Sequence, residues 1–519
     1  MTISKCARHA ACWSLTLCGV AEAQAPTPPP NIVLVLADDL GWTDLSTPRT
    51  SRGHGSTAYR TPHLDALAAA GMSFDQAYAQ PNCAPARAAL MSGRHAARTG
   101  VYTVGNPNRG RAAARRLEAA PNTVTLAPEF VTLAETLRAA GYATGHFGKW
   151  HLGDDPTHGP LAQGFDVNVG GGRSGSPPRG DANGHWSSDT GTWPVPGLEE
   201  PAQDQRPGER RFLADRLTTA AIDWMREARP PFFCCLTHFS VHTPIQAPRA
   251  DRAAFAARAG GRHQNATYAG MLKNLDDNVG RVLRLLETTE SPAASARSLI
   301  DNTIVVFASD NGGVGGYAEA GIEGARDVTD NAPLRAGKGT LYEGGIRVPL
   351  VVRWDRHIAA GEVRSTPVTL LDLYPTLAAL AGATPPADLD GVDASAVWLG
   401  QVDALPPRDL FWHFPAYLEA HGKRGTWRTT PVSVIRRGNH KLLYFYETRT
   451  WQLFDVDVDL GETHDLAAAR PALVADLGAA LRTWLTATGA ALPRSKADGQ
   501  VVPVPAVAVP TSAPTRRGG

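Results

Sequence analysis

The sequence predicts an α/β fold: a doubly wound, mostly parallel sheet followed by a smaller C-terminal antiparallel sheet with one helix. Three observations point there. NIVLVLADD, residues 31–39, is a continuous apolar run ending in two carboxylates, as a strand buried on both faces is. Apolar runs then alternate with stretches of helical length as far as about residue 385. From about residue 405 the pattern changes to closely spaced strands and a single helix.

After the first strand, Thr61-Pro62 starts a helix that Gly71 ends, and Thr132 to Ala140 forms a second helix stopped at Gly141. YATGHFGKWH, residues 142–151, reads as a strand running into a loop. Helices over Arg211 to Ala228 and Ala266 to Glu287 lead into the apolar strands PFFCCLTHF and NTIVVFASDN. Later strands fall around Leu410 to Phe414, Val432 to Tyr446 and Trp451 to Val456, before a helix near Pro471 to Thr486. The expected organisation is a leader over residues 1–25, a main α/β domain over 26–385, an α+β subdomain over 386–492 and a flexible tail over 493–519. Two long polar regions without a clear period, Asn106 to Pro128 and Gly170 to Pro207, read as functional rims or disordered insertions.

The leader has Lys5 and Arg8, an apolar stretch from Ala10 to Val20, then small residues at Ala21, Ala23 and Ala25, the order of a secretory signal peptide. Export to the periplasm or the extracellular space is therefore expected. No later segment has the roughly 18 uninterrupted apolar residues that a membrane span needs. Removing the leader takes the formal charge from +1 to zero, which gives no global field to attract nucleic acid. With 19% charged and 43% hydrophobic residues the chain is neither wholly disordered nor a coiled coil.

Cys6, Cys12 and Cys18 leave with the leader. Cys234 and Cys235 are adjacent in a strand, so they point to opposite faces and read as buried packing rather than a bridge. Cys83 is left without a disulfide partner, which is odd in an exported protein.

In α/β sheets ligands gather beyond the carboxyl ends of the strands, and two apolar runs end alike, in Asp38-Asp39 and in Asp310-Asn311. One such pair alone would read as a turn cap. Two of them supply three carboxylates and an amide oxygen, hard ligands that suit calcium or magnesium rather than zinc. In PNCAPAR, residues 81–87, Pro85 suits a helix start, so Cys83 sits at the N-terminal end, where unpaired N–H groups favour an anion. The pattern is that of a nucleophile aimed at a negatively charged substrate.

Here the sequence resembles the type I, formylglycine-dependent sulfatases of the alkaline-phosphatase-like superfamily. Their C-x-P-x-R signature, continuing to a T/S-G-R element, is matched by Cys83, Pro85, Arg87 and Ser92-Gly93-Arg94. Ala86 departs from the Ser common before the Arg, a change expected to affect modification efficiency more than chemistry. The likeness extends through DDLGW at 38–42, GKWHLG at 148–153, GKGTLYEGGIRVP at 337–349 and the C-terminal sheet, in family order. It implies that a formylglycine-generating enzyme converts Cys83 to formylglycine during maturation. It also implies that residue 83 shares a metal site, usually calcium, with Asp38, Asp39, Asp310 and Asn311.

The resemblance further implies catalytic roles for Arg87, Lys149, His151, His242 and Lys338. A sulfate monoester repels nucleophiles, so a divalent ion and fixed cations such as Arg87 and Lys149 are needed to neutralise its charge in the transition state. A hydrated aldehyde offers an exit that serine lacks, because its second hydroxyl can lose a proton and expel sulfate, with His151 as the matching base. Lys149 and His151, two positions apart, would share one face of an extended chain. His242 and Lys338 match positions that bind sulfate and assist the leaving oxygen. His238, inside the apolar run, is given a structural role. The expected substrate is a sulfated carbohydrate or an aryl sulfate. Phosphonate monoester and phosphodiester hydrolases share the fold and are the rival enzyme class. A non-catalytic relic that binds sulfated glycans would need a missing catalytic residue, and none is missing.

Overall fold

Every residue of the strand Asn31–Ala37 is buried, and its side chains divide between two cores. Ile32, Leu34 and Leu36 face one, Val33, Val35 and Ala37 the other, which is why the run shows no polar alternation. Burying each of the larger side chains stabilises the fold by roughly 1.5–3 kcal/mol. This is a computed structural model, describing residues 28–177, 186–200, 211–256, 262–291, 297–420 and 425–507, with residues 2 and 179. The expected leader lies outside the described residues apart from residue 2.

Around that strand the main sheet runs in the order Glu362–Arg364, Met72–Tyr78, Arg347–Arg353, Thr303–Ser309, Asn31–Ala37, Phe232–Thr237, Ala143–Gly148, Val167–Val169, with Val368–Thr369 beside Met72–Tyr78. Only Arg347–Arg353 runs against the others. Helices cover both faces. Cys235 belongs to one core and Cys234 to the other, so the adjacent thiols point apart, and both are free. Sequence reasoning missed the strands Met72–Tyr78 and Arg347–Arg353 and the helix Leu370–Leu380. The expected helix at Arg211 begins instead at Leu213, because Arg211–Phe212 pairs with Ser187–Ser188.

The second sheet has four antiparallel strands, Asp409–Phe414, Val432–Arg437, His440–Phe445 and Thr450–Asp455. Gly438, at φ 56°, sits in the two-residue turn that splits Val432 to Tyr446 into a hairpin. Alternate residues Val434, Leu443 and Phe454 pack on Tyr78, Leu341 and Ile346 of the main domain. Ile435, Leu442 and Leu453 face Val474, Leu477 and Leu481 of the helix Pro471–Ala487.

The tail expected to be flexible from 493 is docked as far as residue 507. Arg494–Ser495 pairs with Leu117–Glu118, and Val502 and Val504 are buried in the core of the Pro471–Ala487 helix. Its valines read as low complexity, but they supply apolar cover to that helix. Residues 508–519 lie outside the described residues. Among the described residues no helix is long and apolar enough to cross a membrane.

Candidate active site

The parallel pairing sets Ala37 beside Ser309, so the residues that follow these strands, Asp38-Asp39 and Asp310-Asn311, emerge side by side at one edge. Lys149 follows the strand Ala143–Gly148, and His242 lies just beyond Phe232–Thr237. Cys83 is the first residue of the helix Cys83–Ser92, behind Asn82 in extended conformation. Lys338 comes from the loop before Arg347–Arg353, tied to the Cys83 segment by a 2.6 Å hydrogen bond from Gly339 N to the Pro81 carbonyl. Six separate segments thus converge on one point.

There, Cys83 Sγ lies 3.3 Å from Asp38 Oδ1, 3.8 Å from Asp39 Oδ1 and 3.1 Å from Lys338 Nζ. Lys149 Nζ pairs with Asp38 Oδ2 at 2.6 Å, and Lys338 Nζ with Asp39 Oδ1 at 2.5 Å. Arg87 Nε donates to Asp310 Oδ2 at 3.0 Å, while its Nη1 donates to the Lys149 carbonyl, fixing the turn from which that lysine projects. Asp38, Asp310, Asn311 and Lys149 are wholly buried. Buried charges at this density persist because each faces an opposite one.

The same pairing shapes the protonation states. Burial alone would raise the pKa of Asp39, but Lys338, His242 and Lys149 hold it well below the usual carboxylate range. Asp310, buried beside Asp38, is pushed up to about 6 despite Arg87. Burial would lower Lys338, yet Asp39 and Cys83 keep its ammonium charged far above neutral pH. His242 falls to about 3 through burial and Lys338, and burial with Lys149 lowers His151 as well. Both imidazoles are therefore neutral at pH 7. His242 Nδ1 meets the Thr243 carbonyl, which can only accept, so Nδ1 carries the hydrogen and Nε2 faces Asp39 Oδ2 at 3.8 Å.

Ligand atoms of Asp38, Asp39, Cys83 and His242 lie within 4.8 Å of one another. Among the described residues, Asp39 Oδ2 and Asn311 Oδ1 are buried without a hydrogen-bond partner. Orphaned oxygens beside three carboxylates are what a hard divalent cation would satisfy, so the donor set fits one. Asp310 stands closest to the other roles, since its Oδ1 accepts the Asp39 amide at 3.2 Å and its Oδ2 is held by Arg87.

His151 departs from the extended geometry expected for it. At φ 64° it occupies the left-handed region, so an alternating strand face does not explain its approach. Its ring lies against Gly175, where an added Cβ would come within 2.4 Å of the imidazole, and no hydrogen bond joins it to Cys83. His238 is buried, both its ring nitrogens lack a partner among the described residues, and burial lowers its pKa to about 3.

Asp39, Cys83, His151, His242 and Lys338 open into a cleft of about 680 Å³. Its outer wall holds Arg109, Ser176, Arg326 and Arg428, which sequence reasoning did not single out. Arg109 lies within the polar region Asn106 to Pro128, a usable signal. Arg428 sits in the short strand Trp427–Thr429, whose place at the cleft depends on the fold of the second sheet.

Residues 30–383 match the family model Sulfatase, and residues 337–487 match N-sulphoglucosamine sulphohydrolase, C-terminal. A sulfatase of Formosa agariphila is 35% identical over 508 residues, covering 88% of each chain. Human arylsulfatase A is 34% identical over 481 residues, covering 89% of this chain and 84% of its own. Among solved structures, Ps i-CgsB in complex with k-i-k-neocarrahexaose superposes with a TM-score of 0.66 at 30% identity, over 88% of this chain and 93% of that one.

Proposed function

The chain belongs to the sulfatase family and is a sulfuric ester hydrolase, and on that premise we propose that Cys83, oxidised to formylglycine, supplies the nucleophile beside a calcium ion. The observation that carries this reading is the position of Cys83 Sγ at a helix N-terminus, between Asp38 Oδ1 at 3.3 Å and Lys338 Nζ at 3.1 Å. Asp38, Asp39, Asp310, Asn311 and residue 83 would hold the ion, which when bound offsets negative charge on the sulfate. The hydrated aldehyde supplies one hydroxyl for attack on sulfur and a second whose deprotonation releases sulfate.

The remaining steps fall to side chains of the chain itself. Lys149 and Lys338 present fixed ammonium groups to the sulfate oxygens, and Lys338, which stays charged, stabilises the leaving oxygen as its bond to sulfur breaks. Arg87 positions Lys149 through its carbonyl and balances Asp310. His151, neutral and facing the cleft, accepts the proton whose loss ends the cycle. An entering sulfate favours protonation of His242, whose Nε2 then donates to it.

The substrate we infer is a sulfated carbohydrate. The cleft of about 680 Å³ is large enough for a sugar, and the related Ps i-CgsB was crystallised in complex with k-i-k-neocarrahexaose. The catalytic groups lie within 26–385, and the subdomain over 386–492 completes the outer wall through Leu418 and Arg428. The leader over residues 1–25 directs export to the periplasm or beyond, and the partner in maturation is a formylglycine-generating enzyme.

The test is selectivity on matched 4-nitrophenyl esters, using protein co-expressed with that enzyme. A kcat/KM clearly higher for the sulfate monoester than for a phosphate diester is expected. Comparable or reversed values would move the chain to the phosphonate monoester and phosphodiester hydrolases. No turnover by protein shown to bear the aldehyde would leave it a glycan-binding relic.

A further inference from the structure

The outer wall of the cleft carries more positive charge than one sulfate requires. Among the described residues lining the cleft, Asp39 is the only carboxylate, and Lys338 already engages it at 2.5 Å. Arg326 is exposed to solvent, which leaves Arg109 and Arg428, both partly buried. Arg109 spends one N–H on the Val104 carbonyl, and the opposing charge that acts on it most strongly is Glu419. Arg428 lies with its guanidinium carbon 4.3 Å over the Tyr317 ring, and its Nε is buried without a partner among the described residues. Among the described residues neither guanidinium has an ion pair within 4.0 Å. Two guanidiniums close enough to repel each other, in a half-desolvated wall, are held at a cost that a bound anion would remove. Burial and Arg428 together push the pKa of Arg109 below the ordinary arginine value, the sign expected of such a frustrated pair.

Their place relative to the reaction is fixed. Tyr317, under Arg428, donates its hydroxyl to the Lys338 carbonyl at 2.8 Å, and an added Cβ on Gly339 would meet Arg428 Cδ at 3.1 Å. Arg428 thus stands next to the Lys338 loop, and Arg109 lines the same cleft as Cys83. A sugar whose sulfate sits at residue 83 would hold its next substituents against these two side chains. The planar fork of arginine suits sulfate and carboxylate alike.

Resting on the sulfatase reading, we propose that Arg109 and Arg428 form a second anion site, which selects saccharides bearing another sulfate or a uronate carboxylate beside the ester that is cleaved. The two arginines determine specificity, leaving the bond-breaking chemistry to the groups around residue 83.

The experiment compares kcat/KM for a monosulfated hexosamine, the same sugar with a second sulfate, and the same sugar linked to a uronate. Aldehyde-bearing wild-type enzyme should prefer at least one doubly anionic substrate by roughly 10- to 100-fold, the range of one or two charge-assisted hydrogen bonds. Which one it prefers identifies the second anion as sulfate or carboxylate. In Arg109→Gln and Arg428→Gln the ratio should fall towards one, and Arg428→Lys should keep part of it. Unfolding curves of each variant show that it is folded, and the ratio is independent of the fraction of active enzyme. A wild-type ratio near one, or a preference unchanged in the double variant, overturns the proposal. Failure to cleave even 4-nitrophenyl sulfate would instead sink the sulfatase reading on which it rests.

Discussion

Cys83 sits in a place that suppresses its own thiol chemistry. Burial and the Asp38 carboxylate push its pKa up to about 12 against the pull of Lys149 and Lys338, so almost no thiolate exists at neutral pH. An oxygen nucleophile made from this residue avoids that penalty. Cys83→Ala should therefore lower turnover of an aryl sulfate by at least about a thousandfold, the scale of losing a covalent nucleophile. Its Tm should stay within a few degrees of the parent, as read by calorimetry, because only one small buried sulfur is removed. At this scale much of the site was legible. Asp38-Asp39, Asp310-Asn311 and PNCAPAR are local patterns, and although one such pair could cap a turn, two pairs that end buried strands point to ligation or charge pairing. The left-handed backbone of His151 was not legible, because nothing in GKWHLG distinguishes a strand end from a reversal of the chain.

Among the elements, the loop that follows Val167–Val169 does what its sequence does not announce. Gly171 to Ser176 passes directly over His151, and Gly175 allows the contact because it has no side chain. Gly175→Ala would place a Cβ within 2.4 Å of the imidazole, so either the loop or the ring must move. A displacement of that order in a proton-accepting group should lower kcat by about 100-fold while barely changing the Tm. Steady-state kinetics together with thermal unfolding separates that outcome from general destabilisation. Strands buried on both faces were readable because their apolar runs are continuous. Met72–Tyr78 was not, since MSFDQAY carries Ser, Asp and Gln, and the partners of Asp75 and Gln76, which are Arg52, Ser365 and Arg436, are distant in sequence and meet them only in the folded chain.

Across the whole molecule, the second sheet holds the Lys338 loop through a buried charge cluster. Lys441 Nζ lies 3.0 Å from Glu343 Oε1 and 2.9 Å from Glu462 Oε1, with all three side chains fully buried. Glu462 also accepts the Glu343 amide, and its carbonyl accepts Arg335 Nη1 at 2.9 Å. Arg335 and Glu343 flank Lys338 in sequence, so the cluster anchors both ends of its loop. Lys441→Met leaves buried Glu462 without its cation and Glu343 with Arg347 alone, and should cost about 3–5 kcal/mol in urea unfolding, with a fall in kcat as Lys338 loosens. Retained stability and rate would show that the two sheets act independently. Sequence reasoning placed the second sheet but missed this link, because it joins residues about a hundred positions apart and no local pattern encodes that. The same limit hid the docking of Val502 and Val504, whose apolar character matters only once the Pro471–Ala487 helix is in place. The most direct test of the account grades preparations by the fraction of residue 83 present as aldehyde, measured by peptide mass spectrometry, against turnover of 4-nitrophenyl sulfate. The rate per enzyme should rise in proportion to that fraction and extrapolate to zero at none; equal rates in unmodified and fully converted protein would contradict it.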